Sequence, residues 1–142
     1  MTGYNIVNLQ ELTEEVGENR VKEILSNFSC PLNKDVEYFL QRKAIEFARQ
    51  GIGQTHLVFT SYKNDIVLIG YFALAMKDIF VSNRAHINNR WKQRLKRFAT
   101  NEESIGGYRV PAPLIGQLGK NFFNGYNKLI SGDELLKIAL DK

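Results

Sequence analysis

Val110-Pro-Ala-Pro-Leu-Ile-Gly-Gln-Leu-Gly-Lys-Asn121, followed closely by Asn127-Lys-Leu-Ile-Ser-Gly-Asp-Glu-Leu-Leu136, is the stretch whose reading decides the fold. An apolar strand passes through a polar loop into a helix that opens on Ser131 and Gly132. This order is a common way to build an anion cradle, because the amides at a helix start lack helical acceptors and sit at the positive end of the helix dipole. The sequence stops at Lys142, directly after that helix.

The rest of the chain must form the scaffold for that stretch. At 142 residues it suits one domain with a real core. Its 44% hydrophobic and 24% charged residues are those of a folded globular protein. No run is long and apolar enough to span a bilayer, and Met1-Thr-Gly-Tyr-Asn5 lacks the basic and apolar regions of a signal peptide, so a cytoplasmic location is expected. Cys30 is the single cysteine, which excludes an internal disulfide and a cysteine-rich metal site. It reads as a small apolar filler, and His56 and His86 are too scattered to suggest a metal; no metal is expected.

Working backwards, Ile66-Val-Leu-Ile-Gly-Tyr-Phe-Ala-Leu-Ala75 is apolar on both pleat faces and predicts a central strand within Asp65 to Met76. Gly70 inside it marks a bulge or the close approach of another backbone. The strand Thr55 to Tyr62 precedes it across a tight hairpin at Lys63-Asn64-Asp65. Before the hairpin, Asn33 reads as the N-cap of a helix reaching Gln50. Val36, Phe39, Leu40, Lys43, Ala44, Phe47 and Ala48 share one face of that helix, which Gly51 and Gly53 close. A second helix is predicted from about Leu12 to Phe28, weakened by Gly17, after a short strand at Asn5 to Leu9. The last strand, Tyr108 to Asn121, carries Pro111 and Pro113 and is expected to begin irregularly or at an edge. The final helix is expected to bury Leu135, Leu136, Ala139 and Leu140. Together these elements give a mixed α and β layer architecture.

The net charge of +4 is unevenly spread. No acidic residue falls between Asp78 and Glu102, whereas Arg84, Arg90, Lys92, Arg94, Lys96 and Arg97 all do. With Ile87, Trp91, Leu95 and Phe98 as a narrow apolar stripe, Ala85 to Thr100 predicts a basic helix. Such a helix either covers the sheet with a solvated outer face or offers phosphates a cationic surface.

Phe28-Ser-Cys-Pro-Leu-Asn33, Tyr38-Phe-Leu40 with Ala44, Gln54-Thr-His-Leu-Val58, Ile69-Gly-Tyr-Phe-Ala-Leu74 and Pro113-Leu-Ile-Gly-Gln-Leu-Gly119 occur in an order and spacing that resembles the GNAT N-acetyltransferase superfamily, nearest to its small toxin-like members. The resemblance covers nearly the whole chain. It implies an α/β (α+β) fold with a mainly antiparallel central sheet flanked by helices, here one GNAT-like domain over residues 1–142 that is expected to lack the C-terminal strands. It also implies acetyl-coenzyme A as co-substrate, transferring its acetyl group directly to a primary amine.

The superfamily binds acetyl-CoA through a Gln/Arg-x-x-Gly-x-Gly/Ala pattern. The matching positions here are Asn127, Ile130 and Gly132, of which only Gly132 agrees. The resemblance places the backbone of Leu118, Gly119 and Lys120 beside the thioester and pantetheine. Physically, amides around Leu129, Ile130, Ser131, Gly132 and Asp133 can bind a pyrophosphate without particular side chains, and Lys128 adds a point charge. Ile130 in place of glycine matters only if that position needs a positive φ or a close phosphate contact. Asp133 would repel an anion if it pointed inward. Family members often use a tyrosine beyond a later strand as acid, so no catalytic side chain is assigned here. Tyr126, Glu102 and Glu103 carry ordinary structural readings.

In the toxin-like members the acceptor is an aminoacyl-tRNA, which suits the basic segment. A protein N-terminus, lysine, polyamine or aminoglycoside also presents an amine. Two alternatives stand beside the enzyme: a non-catalytic interaction protein with this fold, and a nucleic-acid-binding module using residues 84–97. An uncovered strand edge further favours a homodimer or a partner chain that completes the sheet.

Overall fold

Asn8 both closes strand β1 (Asn5–Asn8) and caps helix α1 (Leu9–Val16). Its side-chain oxygen accepts from the Glu11 amide at 3.1 Å, satisfying one donor that a helix start leaves free. Gly17, at φ 92°, then breaks the helix, and α2 (Glu18–Ser26) sets off from it. The one helix expected over about Leu12 to Phe28 is therefore two, because glycine takes that backbone at little cost. The computed structural model describes residues 3–82, 100–102 and 107–142. The chain divides into two units, Met1–Ala75 with Ile115–Lys142, and Met76–Leu114.

Asn33 caps the next helix as expected, its Oδ1 accepting from the Asp35 and Val36 amides. The chain remains helical to Gln50, through α3 (Lys34–Tyr38), a π-helical segment (Phe39–Lys43) and α4 (Ala44–Gln50). The sequence predicts a plain α-helix here. The widening lies where tertiary contacts hold the helix: Tyr71 donates its hydroxyl to the Val36 carbonyl at 2.6 Å and stacks on Phe39 at 6.3 Å. Left-handed Gly51, φ 70°, ends the helix.

Strands β2 (Gln54–Tyr62) and β3 (Asp65–Ser82) form the expected hairpin, although β3 runs past Met76. Lys63 and Asn64 are both left-handed, at φ 51° and 65°, the turn geometry whose twist suits a two-residue connection. With β4 (Thr100–Glu102) and β5 (Gly107–Lys120) the sheet has five strands in the order β1-β2-β3-β5-β4. The pairs β1–β2, β2–β3 and β4–β5 are antiparallel. Gly70 lies against Gly119 and Ala73 against Gly116, so β3 and β5 also run in opposite directions.

Strand β5 lies between β3 and β4 in the strand order, although beyond Arg109 no described strand pairs with its outer edge. β4 pairs with it only over Gly107 to Arg109, so Pro111 and Pro113 fall beyond that register. Glu102 ends β4 opposite Gly107, and Thr100, expected to close the basic helix, starts this strand instead. The predicted basic helix, with Arg84, Arg90, Lys92, Arg94, Lys96 and Arg97, lies outside the described residues.

In the first unit the sheet is packed on both faces. One face carries Leu57, Leu68 and Tyr71 against Leu9, Val21, Leu25, Phe28, Val36, Leu40 and Ala44 of the helical layer. The other carries Val58, Val67, Ile69 and Phe72 against Ile130, Leu135 and Ala139. The register slips between Val58, opposite Gly70, and Phe59, opposite Leu68. This is the bulge that Gly70 signalled, and it shifts the side-chain alternation of β3 by one residue. Leu68 and Tyr71 thus share one face while Ile69 and Phe72 share the other. The final helix, α5 (Gly132–Leu140), buries Leu135 and Ala139. Leu136 and Leu140, predicted to join them, are instead 39% and 68% exposed. Four residues apart, they lie one above the other on a side of α5 turned from the sheet.

Candidate functional site

The end of β5 is fixed by backbone packing. Gly119 is buried, and a Cβ there would overlap Cγ1 of Val36 on α3. On its other side, a Cβ on Gly70 would come within 3.0 Å of the Gly119 carbonyl oxygen. Two glycines therefore let β3, β5 and α3 meet more closely than any side chain permits.

Asn121 locks the next position. It is 2% exposed, its Nδ2 donates to the Leu68 carbonyl at 2.8 Å, and its Oδ1 accepts from the Ser29 and Phe123 amides, each at 3.0 Å. Its own amide donates to the Ile69 carbonyl at 2.8 Å, and Phe122 donates to the Ser29 carbonyl at 2.7 Å. One side chain thus joins β3, the end of β5 and the segment between α2 and α3. Sequence reasoning missed this residue. Its only signal was an asparagine closing an apolar strand directly after Gly-Lys.

The direction of the Asn121 amide also orients its neighbours. Backbone polar groups alternate along a strand. With Asn121 and the Gly119 carbonyl turned to β3, those of Leu118 and Lys120 turn to the opposite edge. Among the described residues that edge of β5 has β4 beside it only as far as Arg109. Two of the three backbone positions singled out in the sequence therefore turn their amides to an edge that no described strand pairs with there, and Gly119 does not.

The chain continues through a 3₁₀ segment (Phe123–Leu129), kinked where Asn124 and Gly125 are left-handed, at φ 52° and 74°. Asn127 and Lys128 lie in its last part, and Lys128 is exposed. Ile130 is extended, with φ −149°, and its side chain is 3% exposed, packed with Leu135 and Ala139. That position needs no positive φ, so isoleucine replaces glycine without strain and anchors the loop. At Gly132 nothing lies within 4 Å of where a Cβ would stand, and the site is open.

Ser131 and Glu134 form a reciprocal cap. The Ser131 hydroxyl accepts from the Glu134 amide at 3.0 Å, and Glu134 Oε1 accepts from the Ser131 amide at 3.0 Å. Tyr4 of the N-terminal segment donates to Glu134 Oε2 at 2.9 Å and to the Leu129 carbonyl at 3.3 Å. The Ser131 amide, with the Tyr4 and Ser131 hydroxyls, holds the Glu134 carboxyl below its usual value. The amides of Gly132 and Asp133 are the first-turn donors outside this cap. Neither Tyr4 nor Glu134 was singled out from the sequence.

Upstream on β5, Gly116 and Gln117 face a cleft of about 340 Å³ that Phe39, Lys43, Phe47, Thr55 and Ala73 help to line. The π-helical turn forms its wall, and such turns recur at functional sites. Tyr71, behind it, is spent on the Val36 carbonyl, and burial pushes its hydroxyl well above the usual tyrosine value. Cys30 is buried, and burial raises its thiol. His56, expected at the start of a strand, lies inside β2, 6% exposed and stacked on Phe72 at 5.1 Å. Among the described residues neither ring nitrogen has a partner, and burial lowers its pKa.

No protein-family model matches the chain, and no curated protein is significantly similar to it in sequence. Solved structures do match. A tyrosine-to-phenylalanine mutant of KacT aligns over 97% of this chain and 67% of its own, with a TM-score of 0.58 and 12% identity. AtaT complexed with acetyl-methionyl-tRNAfMet aligns over 98% of this chain and 66% of its own, with a TM-score of 0.58 and 16% identity. A mutant of the AtaT toxin gives a TM-score of 0.52 at 17% identity, over 82% of this chain and 56% of its own. KacT and AtaT are toxin acetyltransferases of the GNAT fold, and the chain spans about two thirds of their length or less. At these identities the likeness is one of architecture, and this chain shares the GNAT fold of those structures.

Proposed function

We propose that the chain carries the acyl-coenzyme A half of an N-acetyltransferase site, with acetyl-CoA as co-substrate and a primary amine as acceptor. The observation that carries this reading is the open edge of β5 at Leu118 and Lys120, leading through the loop to the capped start of α5. The residues present fit such a co-substrate. Leu118 and Lys120 offer backbone groups to its amide-bearing arm, Gly132 and Asp133 offer amides to its pyrophosphate, and Lys128 supplies a cation. Bound there, acetyl-CoA supplies an acetyl group activated as a thioester, from which a neutral amine can take it by forming a C–N bond as the C–S bond breaks.

The chain's own part in this reaction is placement and polarisation. A backbone amide on the open edge, fixed by the buried Gly119 and Asn121 on either side of Lys120, is a preorganised donor for a developing oxyanion. The cleft at Phe39, Phe47, Thr55 and Gly116 lies on the same strand and is mainly apolar-sided, which suits the body of an acceptor carrying an amine. Asp133 and Glu134 limit the anion that the helix start accepts, and the Tyr4 contact draws one oxygen of Glu134 aside. No side chain of the described residues is placed as acid or base.

The test is isothermal titration with acetyl-CoA. Saturable binding is expected, and no binding at millimolar co-substrate would refute the reading. A second reading, an RNA acceptor, is supported by the basic residues Arg84 to Arg97 and by the tRNA bound to AtaT. For it, tRNA affinity should fall steeply with salt and fall again when Arg94, Lys96 and Arg97 are replaced. Salt-insensitive binding would remove it.

A further inference from the structure

The β2–β3 turn and the loop between β5 and α5 enclose a cleft of about 430 Å³, lined by Tyr62, Lys63, Asp65, Val67, Asn124 and Tyr126. Tyr126 is half-buried and braced on two sides, by Tyr62 and by Phe123, with ring centroids 6.0 Å away in each case. Lys63 places its ammonium 5.2 Å over the Tyr62 ring, so a cation is already held at the aromatic wall. Asn124 adds an exposed amide with both a donor and an acceptor. Asp65 adds a carboxylate, one oxygen of which accepts from the Ile66 amide at 2.9 Å. A braced ring, an amide, a carboxylate and a fixed ammonium are together the chemistry that recognises a purine base carrying a phosphate.

The cleft shares a loop with the site described above: Asn124 and Tyr126 belong to the segment that carries Asn127 and Lys128 and leads to the start of α5. We infer that this cleft receives the adenosine 3′-phosphate end of the coenzyme. The base stacks on Tyr126, its exocyclic amine meets Asn124 and Asp65, and the phosphate meets Lys63. The inference rests on the acyl-CoA reading and extends it to five residues outside the glycine pattern: Tyr62, Lys63, Asp65, Asn124 and Tyr126.

Isothermal titration of the full chain with acetyl-CoA, 3′-dephospho-acetyl-CoA and adenosine 3′,5′-bisphosphate tests it. Tyr126→Ala should weaken acetyl-CoA about tenfold, the scale of one base–aromatic stack, while Tyr126→Phe keeps wild-type affinity. Lys63→Gln should cost several-fold with acetyl-CoA and nothing with the dephospho form. If acetyl-CoA binds Tyr126→Ala and Lys63→Gln as it binds wild type, the cleft assignment is wrong and the transferase reading stands. If the bisphosphate binds with this pattern but acetyl-CoA binds no better than the bisphosphate alone, the cleft stands and the transferase reading fails. If no nucleotide binds wild type, both are overturned.

Discussion

At the end of β5, Asn121 is buried with both polar atoms of its side chain bonded to protein, and Gly119 beside it has no room for a methyl group. A short loop later, Ser131, Gly132 and Asp133 are all exposed, and what order they have comes from one cap, braced by Tyr4. In the first region Asn121 and Gly119 are held by distant elements and have no capacity left for a ligand, whereas the Leu118 and Lys120 amides between and beside them turn the other way. The second is held by its own cap together with Tyr4, and two of its amides remain outside the cap. The contrast separates the part of the motif that makes the fold from the part free to bind. Breaking each region should therefore have different consequences.

The largest effect is expected from Asn121→Ala, which strands the Ser29 and Phe123 amides and the Leu68 carbonyl; about 4 kcal/mol of stability should be lost. Urea denaturation measures it, and a loss below about 1 kcal/mol would show that water replaces these bonds. Gly119→Ala comes next, at about 3 kcal/mol, through overlap with Val36 Cγ1. Because the obstacle is one methyl group, Val36→Ala in the same chain should restore much of the loss, and a double-mutant cycle in the same assay reads the coupling. Ser131→Ala removes only the local cap and should cost about 1 kcal/mol. If Ser131→Ala proves as damaging as Asn121→Ala, the two regions do not differ as described.

His56 supplies the smallest and most conditional effect. It is buried like Asn121 but has no partner on either nitrogen among the described residues, and burial lowers its pKa from 6.5. The unfolded chain then binds the proton first, so the stability that neutral His56 permits is complete above about pH 6.5 and declines as pH falls toward the lowered folded value. The groups acting on the ring are Lys142, which lowers its pKa further, and Glu11, which raises it. His56→Leu should flatten that decline in a series of thermal melts from neutral to mildly acid pH. An unchanged pH profile would show that His56 is bonded to water in solution.

The sequence is legible where structure is local. Asn33 as cap, Gly51 as terminator and Lys63-Asn64 as hairpin each act through their own backbone preferences, and the helix start at Ser131-Gly132 belongs with them. Gly70 was readable as a bulge for the same reason. The π-helical turn was not, since it goes with Tyr71 reaching Val36 from a strand far along the chain. The Tyr4–Glu134 bond, between residues at opposite ends of the sequence, was hidden likewise. Leu136 and Leu140 follow the apolar helical spacing but lie on a side of α5 that no described element covers, which periodicity cannot reveal. At Ile130 the departure from the glycine pattern was visible, whereas its harmlessness depended on a φ that only the fold determines.

The central claim is that the open edge of β5 and the start of α5 bind one acyl-coenzyme A. It is tested most directly by following backbone amide chemical shifts as acetyl-CoA is added to the isotope-labelled chain. The amides of Leu118, Lys120, Gly132 and Asp133 should move together along one saturation curve, with Asn121 nearly still. Saturable shifts confined to other residues, or none at millimolar acetyl-CoA, would contradict it.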